Sequence, residues 1–389
     1  MSWPIVKLEQ ICSRIDYGLT ASAISKDDGP RFLRITDIQD DSVDWSSVPS
    51  CECSLKELKD YRLEIGDIVF ARTGATTGKS YLIKELDNES VFASYLIRIR
   101  HNQKVDPLYL SYFFKSSKYW TQITKMANGV AQPGINSTKL KDLEIPLPPL
   151  QEQHYVAAIL DKVDGIRLKR KYAVKLADDF LRAKFLDMFG TPANNIHRFP
   201  KGTIRDLIDS VNYGTSAKAS IDSGEYPVLR MGNITYQGGW DFTDLKYLDI
   251  KENEKDKFLV KEGDLLFNRT NSKELVGKTA VYEEDKPMAF AGYLIRVRSN
   301  AIGNNYYLSG YLNSPHGKTT LTNMCKTIVG MANINAQELQ DIEILIPPKH
   351  LQDEYERIYK RVNMGLAITD RSANQLQLLV ANLANKYFM

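Results

Sequence analysis

The stretch LEIPLPPLQEQ, Leu143 to Gln153, occurs in this chain a second time in related form as IEILIPPKHLQ, Ile342 to Gln352. In each form two adjacent prolines end a strand-like apolar run, and a long helical pattern follows them. The first helical pattern extends to Phe189 and the second to Met389. The repetition predicts two copies of one plan, in which a globular domain is followed by a long helix.

Other blocks of the first domain recur in the second in the same order. The offset between matched residues stays between 196, for Tyr17 and Tyr213, and 199, for Pro148 and Pro347. A collinear repeat of this length indicates a duplication and a pseudo-twofold molecule. The matched blocks are Tyr17–Ala23 with Tyr213–Ala217, Leu33–Ile38 with Leu229–Ile234, Ile65–Thr73 with Lys261–Thr270, and Phe92–Arg100 with Phe290–Arg298.

The fold class that these patterns predict is α+β, with two mostly β domains in tandem. The predicted bounds are 1–147 for the first domain, 148–190 for its helix, 191–346 for the second domain and 347–389 for its helix. Runs rich in Ile, Val, Phe and Tyr predict strands, and the aromatic segment Leu108–Met126 has helical spacing that favours a core helix over a base-stacking surface. The predicted strands are Arg31–Ile38, Leu63–Arg72, Ser80–Lys84, Val91–Arg100 and Leu140–Leu147.

The two long helices carry apolar residues near a 3.5-residue spacing, although Arg170 and Gly365 interrupt it. Each helix would otherwise expose one apolar face, so we expect the two to pair as an antiparallel coiled coil. The seam positions are Ile159, Val163, Ile166, Ala173, Ala177 and Phe180 in the first helix, and Ile358, Val362, Leu376 and Leu379 in the second.

Composition excludes several classes of protein. Of the 389 residues, 43% are hydrophobic and 25% charged, which is typical of globular chains and not of disordered ones. No apolar run approaches a bilayer-spanning length and the start does not resemble a signal peptide, so we expect a cytoplasmic protein without membrane contact. The spacing of the four cysteines supports neither a disulfide framework nor a zinc site.

The segment TGATTGKS, Thr73 to Ser80, is the one motif that suggests catalysis. A phosphate-binding P-loop needs glycine where Thr73 stands and a helix after Lys79, whereas a strand-like run follows here. We therefore favour a hairpin loop and keep a P-loop-like nucleotide-binding protein as an alternative. The chain shows no motif for a methyltransferase or a metal site, and we expect it to have no catalytic residues, no cofactor and no metal of its own.

The order of domain and helix, together with the block GDIVFARTG (Gly66 to Gly74), resembles the specificity (S) subunit of type I restriction-modification systems. The resemblance covers the whole chain, but the second copy lacks the Leu-x-Glu-Gln form at its helix start and the glutamine of GVAQ, Gly129 to Gln132. It implies a non-catalytic subunit whose two target-recognition domains each read one half of a bipartite, asymmetric site on double-stranded DNA.

The resemblance also implies partners. Two modification subunits would bind S-adenosylmethionine and methylate adenine N6, and restriction subunits, which use ATP and Mg²⁺, can join to translocate and cleave DNA.

A helix of some forty residues is roughly 55–60 Å long, which exceeds one DNA turn of about 34 Å. The alternative is a coiled-coil adaptor that does not read sequence. A net charge of +3 argues against binding through bulk charge, so a few base and phosphate contacts would carry recognition.

We place the DNA contacts in repeated polar loops. Arg72 and Arg269 are expected to grip guanine or phosphate, unless each pairs with a carboxylate buried in its own domain; Lys79 and Lys278 are expected at phosphates. For four strand arginines we leave open whether they contact DNA or lie on the free surface: Arg98, Arg100, Arg296 and Arg298. Asp67 and Asp264 each follow a matched glycine, and we interpret them as turn residues. The predicted contacts are Tyr17, Thr20, Ser22, Arg34, Arg72, Thr73, Thr76, Lys79, Asn128, Gln132 and Asn136, and in the second domain Tyr213, Thr215, Ser216, Arg230, Arg269, Thr270, Asn271, Lys278, Asn333 and Asn335.

Overall fold

The structure, a computed structural model, describes residues 3–24, 29–39, 41–127, 134–272, 275–328 and 331–388. For residues 326–328, 331 and 368–386 it describes the backbone alone. The chain forms two compact units: Met1–Leu168 with Ser372–Met389, and Lys169–Arg371. Both divisions fall inside the long helices, whereas the predicted bounds give each helix a segment of its own.

The first unit contains twelve strands and four short helices among its described residues, followed by the first long helix. In chain order they are β1 (Ile5–Lys7), β2 (Cys12–Tyr17), β3 (Ala23–Ile24), β4 (Arg31–Leu33), β5 (Ile38–Gln39), β6 (Ser42–Val43), β7 (Ser50–Cys51), α1 (Leu55–Tyr61), β8 (Ile68–Ala71), β9 (Ser80–Leu82), β10 (Ser90–Phe92), β11 (Leu96–His101), α2 (Pro107–Phe113), α3 (Ser117–Ala127), α4 (Ser137–Lys141), β12 (Glu144–Pro146) and α5 (Leu150–Phe189).

The second domain repeats this order. Its elements are β13 (Lys201–Thr203), β14 (Ile208–Tyr213), β15 (Tyr226–Leu229), β16 (Lys246–Leu248), α6 (Lys255–Phe258), β17 (Leu259–Val260), β18 (Leu265–Asn268), β19 (Thr270–Asn271), β20 (Thr279–Val281), β21 (Met288–Phe290), β22 (Leu294–Ser299), α7 (Asn305–Asn313), α8 (Pro315–Met324), β23 (Lys326–Ile328), β24 (Met331–Asn333), α9 (Ala336–Gln340), β25 (Glu343–Leu345) and α10 (Lys349–Phe388).

An antiparallel four-stranded sheet lies at the centre of each domain, in the order β2-β11-β8-β9 in the first and β14-β22-β18-β20 in the second. In the first domain Phe70, Ile97 and Ile99 face the helices, while Val69 and Leu96 face a second core with Leu33 and Phe92. The interior strand β8 is buried on both faces, which explains why Ile68–Ala71 is continuously apolar instead of alternating.

Five predicted elements were each wrong in part, because the chain turns where propensity alone gave no break. Arg31–Ile38 is β4, a 3-10 helix (Ile35–Asp37) and the start of β5, which belongs to another sheet, and Leu63–Arg72 is a strand only over Ile68–Ala71. Val91–Arg100 is two strands, β10 and β11, which belong to different sheets. Leu108–Met126 is two helices, and the Ser116 hydroxyl accepts the Tyr119 amide where the second begins. Leu140–Leu147 is the end of a short helix followed by β12. The prediction that the aromatic segment is core is confirmed, because five of its six aromatic rings are buried and the sixth is at the edge.

The long helices α5 and α10 begin after the repeated prolines, as predicted. Each unit contains the start of one long helix and the end of the other. The last residue of α10, Phe388, packs on Tyr109 and Phe113 in the first unit, and the last residue of α5, Phe189, packs on Tyr307 in the second. The helices therefore contribute opposite ends to each unit, as an antiparallel pair does.

Not every predicted seam residue is covered. Ile166 and Phe180 are 46% and 51% exposed, because the buried residues of α5 are Val156, Ala157 and Leu160 in the first unit and Leu181, Phe185 and Phe189 in the second. The predicted seam positions Leu376 and Leu379 lie among residues whose side chains are not described.

The P-loop alternative does not match the local structure. Thr73–Ser80 connects β8 to the antiparallel strand β9, so no helix follows Lys79. The predicted hairpin loop is confirmed. Within the described residues, no group of His, Cys, Asp and Glu side chains is arranged to hold a metal ion, and no helix has the length and hydropathy of a membrane span.

Candidate nucleic-acid interface

An arginine lies over a tyrosine ring at the same place in both domains. The guanidinium carbon of Arg72 is 4.8 Å from the centre of the Tyr17 ring, and that of Arg269 is 4.9 Å from the centre of the Tyr213 ring. Each arginine follows the end of a buried strand, β8 or β18, and each tyrosine ends β2 or β14. The stacking orients a planar cation at the edge of the central sheet.

Main-chain hydrogen bonds hold each arginine between two other loops. The Arg72 amide donates to the Tyr95 carbonyl at 3.2 Å, and the Arg72 carbonyl accepts from the Ile135 amide at 2.9 Å. In the second domain the Arg269 amide donates to the Tyr293 carbonyl at 3.0 Å, and its carbonyl accepts from the Ile334 amide at 2.9 Å. The sequence predicted that these loops meet at one surface, and the fold brings them together twice.

The two tyrosine hydroxyls join a further loop to the same surface. Tyr17 accepts from the Ser137 amide at 3.1 Å, and Tyr213 accepts from the Ala336 amide at 2.8 Å. Partial burial acts to raise the pKa of Tyr17, but the hydrogen bonds from Ser137 and the charge of Arg72 together leave that pKa below its usual value. Each tyrosine therefore both supports an arginine and fixes a helix start.

The arginine side chains keep capacity for an external anion. Arg72 donates through one terminal nitrogen to the Ser94 carbonyl at 3.3 Å. In the described part of the chain, neither Arg72 nor Arg269 has a carboxylate within ion-pair distance. The described residues therefore give no support to the alternative in which each arginine pairs with a buried carboxylate of its own domain.

The repeated lysines do not share one environment. Lys79 is exposed in the hairpin loop, whereas Lys278 is only 8% exposed and its ammonium donates to the Ile234 carbonyl. Burial lowers the pKa of Lys278. The expectation that Lys278 meets a phosphate does not fit this geometry, because its side chain is buried and its ammonium already donates to a main-chain carbonyl.

Arg34 and Arg230, also predicted as contacts, are held by local carboxylates. Arg34 makes two hydrogen bonds to Asp37, at 3.1 and 2.6 Å, and Arg230 pairs with Asp244 at 2.8 Å. A cavity of about 710 Å³ opens in the second domain, and Arg230, Asn271, Lys278 and Tyr293 are among the residues that line it.

Several predicted polar contacts have structural partners. Asn136 and Asn335 cap the short helices α4 and α9 by accepting amides at 2.8 and 2.9 Å, and Thr270 donates to Asn333 at 3.1 Å. Thr215 accepts the Ala217 amide, while Thr20, Ser22 and Ser216 are exposed and Thr73 and Thr76 are half-buried. Asn128 and Gln132 lie outside the described residues.

Two of the four strand arginines are buried in the core, and the other two are partly exposed and pair with buried aspartates. Arg98 is fully buried and donates twice to Asp16, at 3.0 and 2.6 Å, while Arg100 donates twice to Asp67, both at 2.8 Å. Arg296 is likewise buried and Arg298 pairs with Asp264. Arg98 and Arg296 therefore neither reach DNA nor lie on the free surface. Asp67 and Asp264 also accept the amides of Glu64 and Lys261, which confirms their turn role.

Two exposed aromatic residues at this surface were missed. Tyr95 and Tyr293, whose carbonyls hold the two arginines, are 64% and 54% exposed. Both belong to a matched block that was interpreted as one continuous strand. Gly292, which precedes Tyr293 in the repeat, was the signal in the sequence that a turn interrupts the block.

Comparison with known proteins identifies the family to which this chain belongs. A family model described as the type I restriction modification DNA specificity domain matches residues 3–176 and again residues 199–378. The specificity subunit of the type I restriction enzyme EcoKI from Escherichia coli (strain K12) is 24% identical over 378 residues, which cover 92% of this chain and 80% of that protein. The StySPI specificity subunit from Salmonella potsdam is 25% identical over 377 residues, covering 90% of this chain and 78% of its own.

Solved structures share the fold. The S subunit of a type I restriction-modification system from M. genitalium superposes with a TM-score of 0.65 at 13% identity, covering 100% of this chain and 96% of that one. A chain from a structure of a type I R-M system, solved to explain complex assembly and conformational transition, has a TM-score of 0.53 at 17% identity and covers 97% of that chain.

Proposed function

Because the chain belongs to the type I restriction-modification DNA specificity family, we propose that it reads a bipartite DNA site for an enzyme complex whose chemistry is performed by other subunits. Each domain would read one half of the site. The observation that carries this proposal is the repeated Arg–Tyr surface: in both domains a guanidinium that has no carboxylate partner among the described residues lies at the end of the central sheet, between polar loops.

The chemistry of this surface suits DNA. A guanidinium can donate two parallel hydrogen bonds to the O6 and N7 atoms of guanine, or to two phosphate oxygens. The tyrosine beneath it limits its rotation, so the cation is positioned before DNA arrives. Exposed Lys79 adds a phosphate contact in the first domain, but the buried Lys278 has no such role in the second.

The sequences around the two surfaces differ, which supports different half-sites. The segment 41–60 of the first domain contains Trp45 and the short helix α1, whereas residues 237–257 of the second contain Trp240 and the strand β16. Two domains with the same frame and different neighbouring segments would recognise an asymmetric site. Modification subunits that methylate adenine N6 with S-adenosylmethionine, and restriction subunits that use ATP and Mg²⁺, are the partners proposed for this chain, in a cytoplasmic complex.

The test is single-molecule sequencing for N6-methyladenine in genomic DNA from cells that carry this chain and its modification subunit. A split motif should be methylated, and it should vanish when this chain alone is deleted. Unchanged methylation on deletion, with the complex intact in the parent cells, would contradict the proposal and favour an adaptor that does not read sequence.

A further inference from the structure

Tyr95 and Tyr293 are exposed aromatic side chains at one repeated position, immediately beside Arg72 and Arg269. Their rings are 64% and 54% exposed. Within the described residues neither ring packs against another aromatic ring, and neither hydroxyl has a hydrogen-bond partner. A large ring presented to solvent at the same place in both domains calls for a ligand that the chain itself does not supply.

The turn that presents each ring is held at both ends. In the first domain the Leu96 amide donates to the Ala93 carbonyl at 2.8 Å and the Ser94 amide to the Leu19 carbonyl at 2.9 Å. In the second, the Leu294 amide donates to Ala291 at 2.8 Å and the Gly292 amide to Thr215 at 2.8 Å. A side chain with two torsion angles on so fixed a backbone loses little entropy when it binds.

Close packing of the main chain makes this turn specific to the fold. A Cβ atom added to Gly18 would lie 2.3 Å from the Ala93 and Phe92 carbonyl oxygens, and one added to Gly214 would lie 2.3 Å from those of Ala291 and Phe290. The glycine lets the main chain just after β2 and β14, the strands that end in Tyr17 and Tyr213, approach this turn closely. The turn that carries the exposed ring therefore packs directly against the strand that supports the stacked arginine.

The chemistry of the neighbourhood selects the ligand. A guanidinium that has no carboxylate partner in the described part of the chain attracts a nucleic-acid phosphate or a guanine edge. A flat ring within the same loop cluster can cover the face of a nucleobase, which offers an aromatic surface of matching width. The structure points to a base at a step of the duplex that is partly unstacked when the domain binds.

We propose that Tyr95 and Tyr293 each stack on a base of the half-site that their own domain recognises. This inference rests on the proposed function. It assigns to each domain one aromatic contact that acts on the deformability of the DNA, in addition to the hydrogen bonds made by the arginine.

The experiment uses the assembled complex with its modification subunits and duplexes that carry the split motif found by methylation sequencing. Tyr95→Ala should weaken binding about ten-fold, while Tyr95→Phe, which keeps the ring, should bind as the unaltered complex does. Duplexes with a single abasic nucleotide are then tested at each position of the first half-site. At one position Tyr95→Ala should cause no further loss, because the base that the ring covers is already absent.

Tyr293→Ala should behave in the same way with abasic positions of the second half-site alone. Ile65→Ala is the matched control, because Ile65 is 69% exposed but lies at the opposite end of β8 from Arg72. Unfolding temperatures of all variants should equal that of the unaltered chain, since the rings are exposed. Binding of Tyr95→Ala within two-fold of the unaltered complex, or a ten-fold loss that persists on every abasic duplex, would overturn the inference. Absence of any split motif would instead contradict the proposed function.

Discussion

Gln153 and Gln352 occupy the fourth position of the two 40-residue helices, and each is fully buried against the chain segment that precedes its helix. The Gln153 amide group donates to the Pro148 carbonyl at 2.8 Å and the Lys104 carbonyl at 3.2 Å, and its oxygen accepts the Asp106 amide at 2.8 Å. Gln352 donates to Pro347 and Ile302 in the same way, but its oxygen has no partner.

This difference predicts unequal costs for removing the two glutamines. Gln153→Ala removes three hydrogen bonds to main-chain groups, one buried and two part-buried, whereas Gln352→Ala removes one buried and one part-buried bond. A buried group left unpaired costs about 1–3 kcal/mol, and a part-buried one costs less. We therefore expect Gln153→Ala to lower the free energy of unfolding more than Gln352→Ala does, measured by urea denaturation. Equal losses would mean that the bond to the Asp106 amide adds no stability.

The last residue of α10 is expected to stabilise the first unit. Phe388 is 2% exposed and packs on Tyr109 and Phe113, so Phe388→Ala should cost about 3–5 kcal/mol. Phe180→Ala is the control, because that ring is half exposed. Thermal unfolding would detect the loss as a lower Tm. Equal Tm values for the two variants would contradict the packing.

A buried arginine in the second unit lacks the charged partner that its counterpart has. Arg98 faces Asp16 across β11 and β2, whereas Arg296 faces Asn212 across β22 and β14, and the Arg296 Nε has no hydrogen-bond partner among the described residues. Burial lowers the pKa of Arg296, and the charge of Arg298 acts in the same direction. Asn212→Asp should supply the missing carboxylate and raise the free energy of unfolding by about 1–2 kcal/mol.

The reverse substitution is the matched control. Asp16→Asn should lower stability in the first unit, because it removes the charge that compensates a fully buried guanidinium. Both variants can be compared by chemical denaturation. A loss of stability in Asn212→Asp would show that the pocket around Arg296 is already balanced by Asp264 at 3.9 Å.

Arg72→Ala is expected to weaken DNA binding by the assembled complex without unfolding the domain. The loss of a bidentate contact to guanine should cost about 1–3 kcal/mol at one base position. Arg72→Lys keeps the charge but loses the fork, so it should restore binding only if the arginine meets a phosphate. The salt dependence of binding separates the two cases, since a lost phosphate contact lowers the slope of log K against log salt by about 1. Unchanged affinity per folded molecule in Arg72→Ala would remove this residue from the interface.

Exchange of a whole domain tests the independence of the two readings. Replacing residues 1–147 with the corresponding domain of another family member should change one half of the methylated motif and leave the other half as it was. Methylation sequencing gives both halves in one measurement. A change in both halves would contradict separate recognition by the two domains.

Much of the architecture could be predicted from the repeat. The two prolines, the apolar runs and the helical spacing placed the long helices to within two residues at each end. The turns that were not predicted have no clear sequence signal in the first copy, whereas the second copy contains such signals. Ser314 and Pro315 begin α8 where the first copy has only Ser116, and Gly292 stands in the turn where the first copy has Ser94.

Burial of charged residues was beyond the sequence. Arg98 forms a hydrogen bond with Asp16, 82 positions away in the chain, and Lys278 forms one with Ile234, 44 positions away. No local sequence pattern in a strand or loop predicts such contacts. The same lysine in the first copy, Lys79, is exposed, which shows that a repeated residue need not keep a repeated environment. Tyr95 was overlooked for the converse reason: a β-rich run was interpreted as one buried strand, and its most exposed residue stands in the turn.

The contacts that hold Arg72 have a consequence for how such a protein can evolve. Its position depends on the Tyr17 ring and on main-chain groups of Ser94, Tyr95 and Ile135, and none of these belongs to the segment 41–60. Arg269 is held in the same manner, apart from residues 237–257. Either segment can therefore change by mutation while the arginine stays in place. Under the proposed function, a lineage could acquire a new target sequence by small steps and keep the arginine contact to DNA throughout.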